Sequence, residues 1–108
     1  MTQYDQENDE RLADAIDAAV FRRLVAHLQQ RTDVQNIDLM GWGGFCRNCL
    51  GDWLSEAAAE RGVEIGKVEA RARVHGMPQA EWKARHQGEA TPEQLQRMAE
   101  SVARNKRH

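Results

Sequence analysis

Short helical patterns broken by glycine are the feature that most restricts how this chain can fold. Apolar residues recur at three- and four-residue steps through most of the 108 positions, a spacing that places them on one side of an α-helix. Runs of β-branched residues, which strands favour, are nearly absent. Eight glycines and two prolines interrupt the pattern, so the helices have to be short. We therefore predict an all-α fold, a compact orthogonal bundle of five or six mostly short helices.

The helix boundaries follow from the apolar stripes and from start and stop signals. The first helix is predicted from Asp9 to about residue 30, and its apolar side is expected in the core: Leu12, Ile16, Ala19, Val20, Leu24, His27 and Leu28. Further helices are predicted over residues 34–40, 45–61, 67–75 and 78–87, and from residue 91 onward. Asp33 is the expected N-cap of the second helix, and the glycine-rich residues 41–44 are expected to form a turn.

The length fits a single domain. We expect a flexible segment over residues 1–8, one helical domain over 9–104 and a basic tail over 105–108. The first residues are acidic and lack the apolar core of a signal peptide, and no apolar run approaches the ~20 residues that span a bilayer. A cytoplasmic protein without a membrane partner is therefore predicted, with its two cysteines kept as thiols.

Charge is divided unequally along the chain. Residues 1–66 hold 6 Lys and Arg against 12 Asp and Glu, a net charge of −6, whereas residues 67–108 hold 9 against 5, a net charge of +4. Such a division favours contact between two copies of one chain, and the basic half is compatible with a polyanionic partner. No grouping of side chains indicates catalysis, so enzymatic activity has no support in the sequence.

The most unusual chemical feature is the Cys46-x-x-Cys49 pair. On the predicted helix both sulfurs fall on the apolar side near Trp53, and Arg47 and Asn48 point outward. The favoured interpretation is that the cysteines are small buried apolar residues. The alternative is half of a metal site, zinc for example, completed by His27 or else by His75, His86 or a carboxylate such as Asp38. A redox role would need a lowered thiol pKa near the helix N-terminus.

Three segments together resemble a known family. They are Asn-Ile-Asp-Leu-Met at residues 36–40, Gly-Phe-Cys-Arg-Asn-Cys-Leu at 44–50 and Gly-Met-Pro at 76–78. The chain resembles the bacterial proteins grouped as domain of unknown function 1244, over about residues 21–87. The resemblance implies a small multihelical fold that self-associates, and it implies no established activity.

These observations lead to one main functional hypothesis and two others. The main hypothesis is a non-catalytic interaction protein that forms a homodimer, with any other protein partner unknown. The second is a metal- or thiol-dependent protein that uses Cys46 and Cys49 with a histidine. The third is nucleic-acid binding by the basic half, where residues 67–87 have the size of a helix-turn-helix unit.

Overall fold

The structure, a computed structural model, describes residues 6–105, with side chains from residue 8 onward. This part of the chain contains six helices and no strand, which confirms the all-α prediction. The helices are α1 (Gln6–Gln30), α2 (Asn36–Gly43), α3 (Arg47–Glu60), α4 (Lys67–His75), α5 (Gln79–His86) and α6 (Pro92–Arg104). The start of α1 lies inside the segment predicted to be flexible, while residues 1–5 and most of the predicted basic tail, residues 106–108, lie outside the described residues.

Helix ends in the second half of the chain agree with the sequence. Gly62 and Gly76 follow α3 and α4 with φ of +76° and +78°, a left-handed conformation that favours glycine. At the start of α6, the Gln94 backbone N–H donates to Thr91 Oγ1 over 3.1 Å, and the Thr91 N–H donates to Gln94 Oε1 over 2.8 Å. This is the predicted capping box, and Pro92 follows it at the first helical position.

The predicted turn over residues 41–44 is wrong, because α2 continues through Gly41 to Gly43. A Cβ atom on Gly41 would lie 3.0 Å from Cγ and Cδ of Arg97, so this glycine lets α6 pack closely against α2. The predicted N-cap is also wrong. Gln35 occupies that position without a side-chain cap bond, and Asp33 instead forms an ion pair with Arg31 at 2.8 Å.

The core is smaller than the apolar stripes predict. It is built on Leu28, Leu50 and Val74, with Phe21, Leu24, Leu39 and Phe45 packed around them. Only the second half of α1 reaches it: Leu12, Ile16 and Val20 are 39%, 54% and 64% exposed, so their predicted burial is wrong. The reason is length. A helix of 25 residues is about 37 Å long, whereas two of the three dimensions of the molecule are 29 and 26 Å.

Two helix pairs account for most of the remaining packing, α2 with α6 and α3 with α4. Between α2 and α6, Gln94 donates to Asp38 Oδ1 over 3.1 Å, Asn105 Nδ2 donates to the Gly44 carbonyl over 2.6 Å, and the Arg97 guanidinium lies 4.2 Å from the centre of the Trp42 ring. Between α3 and α4, Arg71 forms two hydrogen bonds with Asp52, of 2.7 and 2.8 Å.

Gly51 allows the close approach of α3 and α4, since a Cβ atom there would lie 2.6 Å from the Arg71 Cα. We expect Gly51→Ala to lower the free energy of unfolding by about 1–3 kcal/mol, because overpacking costs more than the roughly 0.5–1 kcal/mol that alanine contributes inside a helix. Denaturant unfolding measures the change. Gly88→Ala is the control, because nothing lies within 4 Å of its added methyl group. Equal stability of the two variants would contradict the close approach.

Candidate functional site

Arg47 is the most buried charged residue of the described part, with an exposed fraction of 0%. Its Nη1 donates to the Val34 carbonyl over 2.9 Å and to Asn36 Oδ1 over 3.0 Å. Its Nη2 donates to the carbonyls of Leu28, over 3.1 Å, and Arg31, over 2.8 Å. The guanidinium therefore joins the first turn of α3 to the end of α1, to the turn after it and to the start of α2.

The prediction that Arg47 points outward is wrong, because α3 begins two residues later than predicted and Arg47 is its first residue, not part of its second turn. Cys46 is the N-cap, in an extended conformation, and Arg47 is the first helical residue. From there the side chain reaches back over the α1–α2 turn and lies 4.7 Å from the centre of the Trp82 ring. Burial lowers the Arg47 pKa, while the nearby Cys46 and Asp33 act in the opposite direction.

Trp82, His75 and His86 form an aromatic cluster beside Arg47. Both imidazole rings lie 5.3 Å from the indole ring, and Trp82 and His75 are buried. His75 Nδ1 lies 2.8 Å from the Arg71 carbonyl, so this nitrogen carries the proton and donates it. Burial lowers the His75 pKa, and the positive charges of Arg47 and Arg71 act in the same direction, so both favour the neutral imidazole.

The three residues of the predicted metal site lie in two places. Cys46 Sγ and Cys49 Sγ are 3.9 Å apart, with Cys46 buried and Cys49 partly buried. His27 is exposed on α1, next to the buried Leu28. Within residues 6–105, no three His, Cys, Asp or Glu side chains are grouped so as to hold a metal ion. Zinc binding by Cys46, Cys49 and His27 stays a prediction, and the structure does not bring its histidine to the thiols.

A third sulfur, which the sequence analysis missed, lies beside the cysteines. Met40 Sδ is 3.7 Å from Cys49 Sγ. Met40 and Cys46 also line a pocket of about 360 Å³ between α2, α3 and α6, together with Asn48 and Met98. Burial raises the Cys46 pKa, against a smaller lowering by the backbone N–H of Cys49. Cys46 is therefore a protonated thiol at neutral pH, unlike the activated thiols of redox proteins.

The three arginines of the predicted helix-turn-helix unit, residues 67–87, face carboxylates. Arg71 is bound to Asp52, Arg73 lies 2.6 Å from Glu69, and Arg85 lies 2.6 Å from Glu81. A guanidinium group that already binds a carboxylate in this way would have to give up that partner to bind a phosphate. The geometry of this unit therefore gives the nucleic-acid hypothesis no support.

A family comparison covers this site. The sequence pattern described as "Protein of unknown function (DUF1244)" matches residues 34–100, more than half of the chain. The chain belongs to the DUF1244 family. The match contains Arg47, both cysteines and Trp82, and it extends into α6, which the predicted resemblance over residues 21–87 left out. It does not include α1. A comparison with curated proteins finds no match, and none of the helices of residues 6–105 is long and apolar enough to cross a membrane.

The hydrogen bonds of Arg47 predict a large effect of a change that keeps its charge. Arg47→Lys leaves a compact ammonium in place of a planar group with several donors, so part of the set of carbonyl acceptors loses its partner. We expect the free energy of unfolding to fall by about 2–4 kcal/mol, measured by urea unfolding. Arg104→Lys, on an exposed arginine of α6, is the control and should stay within about 0.5 kcal/mol of wild type. A similarly small effect of Arg47→Lys would argue against a stabilising role of the Arg47 hydrogen bonds.

The lowered pKa of His75 predicts a loss of stability in mild acid. Below about pH 6.5 the histidine of the unfolded chain takes up a proton that the folded protein does not, so the free energy of unfolding falls by up to about 1.4 kcal/mol per pH unit. Above that pH the imidazole is neutral in both the folded and the unfolded state, so His75 no longer lowers the free energy of unfolding. The pKa of Asp52 is lowered by its hydrogen bond with Arg71, so its contribution to stability is lost only as the pH falls below the ordinary value of 3.8.

Urea unfolding between about pH 7 and pH 5.5 measures this slope. His75→Asn retains a donor toward the Arg71 carbonyl and removes the titrating group, so it should flatten the slope. His27→Asn, on the exposed histidine of α1, should leave it unchanged. A slope that persists in His75→Asn would assign the pH dependence to other groups.

Proposed function

We propose that this protein is an interaction protein that self-associates as a homodimer, through antiparallel pairing of α1 with α1 of a second copy. The observation that carries the proposal is the exposed apolar side of α1. Leu12, Ile16 and Val20 are four residues apart, so they lie on one face, and each is well exposed in the single chain. A soluble helix normally places such a stripe against another element.

Charges at the two ends of this face favour a second copy as the occupant. Asp9 lies seven residues before Ile16 and Arg23 lies seven residues after it, so both share the face of Ile16. When two such helices pair antiparallel about Ile16, Leu12 of each copy faces Val20 of the other, and Asp9 of each faces Arg23 of the other. One surface then complements itself, as two-fold symmetric dimers require.

The apolar face of α1 supplies only part of the interface that the homodimer needs. Residues 9–23 extend over about 21 Å of helix. Side chains on either side of the stripe, and the partner's body beyond Arg23, are needed to approach the roughly 800 Å² per partner of a typical specific interface. The proposed interface lies outside the matched residues 34–100, so it adds to the family core. We place the dimer in the cytoplasm, where the cysteines stay reduced.

Replacement at the proposed symmetry axis gives the sharpest test of self-association. The dimer should sediment at about 25 kDa, twice the chain mass of 12.3 kDa. Ile16→Asp places two carboxylates opposite each other in an apolar interface, and we expect it to raise the dissociation constant about 100-fold or more. Analytical ultracentrifugation over a concentration series measures both. Val68→Asp is the matched control, since Val68 is 83% exposed but lies on α4.

A charge exchange tests the antiparallel register separately. Arg23→Asp should weaken the dimer by setting two carboxylates against each other, and adding Asp9→Arg to it should restore wild-type association. A monomeric wild-type protein at high micromolar concentration would overturn the proposed dimer. A dimer that Ile16→Asp leaves intact would overturn the α1 interface.

A further inference from the structure

Cys49 has a sulfur neighbour on two sides, Cys46 and Met40, at distances that suit ligands of one metal ion. Cys49 Sγ lies 3.9 Å from Cys46 Sγ and 3.7 Å from Met40 Sδ. Two sulfur ligands at a metal–sulfur distance of about 2.3 Å are separated by roughly 3.8 Å in a tetrahedral and 4.0 Å in a trigonal arrangement. Both separations from Cys49 therefore suit sulfur ligands of one metal ion.

The donor types decide which metal fits. Zinc is bound by thiolates, imidazoles and carboxylates, and no third ligand of these types joins the two cysteines within residues 6–105. A thioether is a soft donor, and thiolate with thioether selects Cu(I). We propose that Cys46, Cys49 and Met40 form a binding site for one Cu(I) ion, with two thiolates and one thioether as ligands. This site is independent of the proposed dimer, whose interface is on α1.

Nearby positive groups offset part of the cost of burying such a complex. Two thiolates and one Cu(I) carry a net charge of −1, and two thiol protons leave to solvent when the complex forms. Arg47 is next to Cys46 in the chain, and both thiolates are among the smaller causes that raise the Arg71 pKa, after its hydrogen bond with Asp52. The N-terminus of α3, where Cys46 is the N-cap, also favours negative charge.

The pocket beside the cluster provides an entry path. Cys46 and Met40 line it, so an ion can reach the sulfurs from solvent without opening the core. Asn48 lines the same pocket, and its Oδ1 is buried without a hydrogen-bond partner among the described residues. Met98, also in this wall, offers a matched position for a control variant.

The test is a titration of the full-length reduced protein with Cu(I) under oxygen-free conditions, in competition with bicinchoninate. We expect one Cu(I) per chain and the release of two protons per ion, with the same stoichiometry in Ile16→Asp. X-ray absorption of the loaded protein should show a shell of three sulfur neighbours at about 2.3 Å. No uptake against the competitor, or a shell of nitrogen and oxygen, would overturn the site.

Variants identify the ligands. Cys49→Ser should abolish competitive uptake, and Met40→Leu should weaken it by about 10-fold or more, since even outer-shell partners of metals contribute 10–100-fold. Met98→Leu should bind as wild type. Circular dichroism checks that each variant is folded. Unchanged affinity and an unchanged sulfur shell in Met40→Leu would overturn the three-sulfur site, and the wild-type X-ray absorption result decides the case if a variant does not fold.

Discussion

A guanidinium without solvent contact has to be surrounded by acceptors, and around Arg47 these are mostly the carbonyl groups where α1 ends. The C-terminal end of a helix carries a partial negative charge, so the carbonyls of Leu28 and Arg31 are suited to hold a cation. Arg47 itself stands at the N-terminus of α3, where a cation is unfavourable. The end of α1 therefore compensates a charge that the start of α3 would not tolerate alone, and this fixes how the two helices meet.

The same cation determines the state of its neighbours. Trp82 offers the face of its ring to Arg47, and His75 packs against the edge of that cluster as a neutral imidazole. A second buried positive charge at His75 would lie close to Arg47 and Arg71, both of which lower its pKa. His75 therefore stays neutral beside Arg47.

The sequence predicted the parts of the fold that depend on local chemistry. The bounds of α4, the capping box at Thr91 and the left-handed glycines after α3 and α4 all follow from residues within a few positions of each other. Contacts between distant segments were not predictable in this way. Helical periodicity places Arg47 on the surface. No residue near it in the sequence indicates that it donates to four acceptors in other segments of the chain.

The candidate site shows the same division. The spacing of Cys46 and Cys49 was visible, but Met40 lies on the preceding helix, and its approach depends on how α2 packs against α3. Conversely, His27 belongs to the predicted apolar stripe of α1, but the fold leaves it exposed although the neighbouring Leu28 is buried. An amphipathic pattern shows that a helix face needs a partner, but it does not show whether the partner is in the same chain.

The contacts between α2 and α6 have a consequence for cooperativity. Helices of 8 and 13 residues are too short to persist alone in water, so each depends on the other for its helical state. Asn105 donates to the Gly44 carbonyl just beyond the end of α2, and Gln94 donates to Asp38 near its start, so α6 holds both ends of the shorter helix. The two segments, more than 50 positions apart, should gain and lose protection from amide hydrogen exchange as one unit.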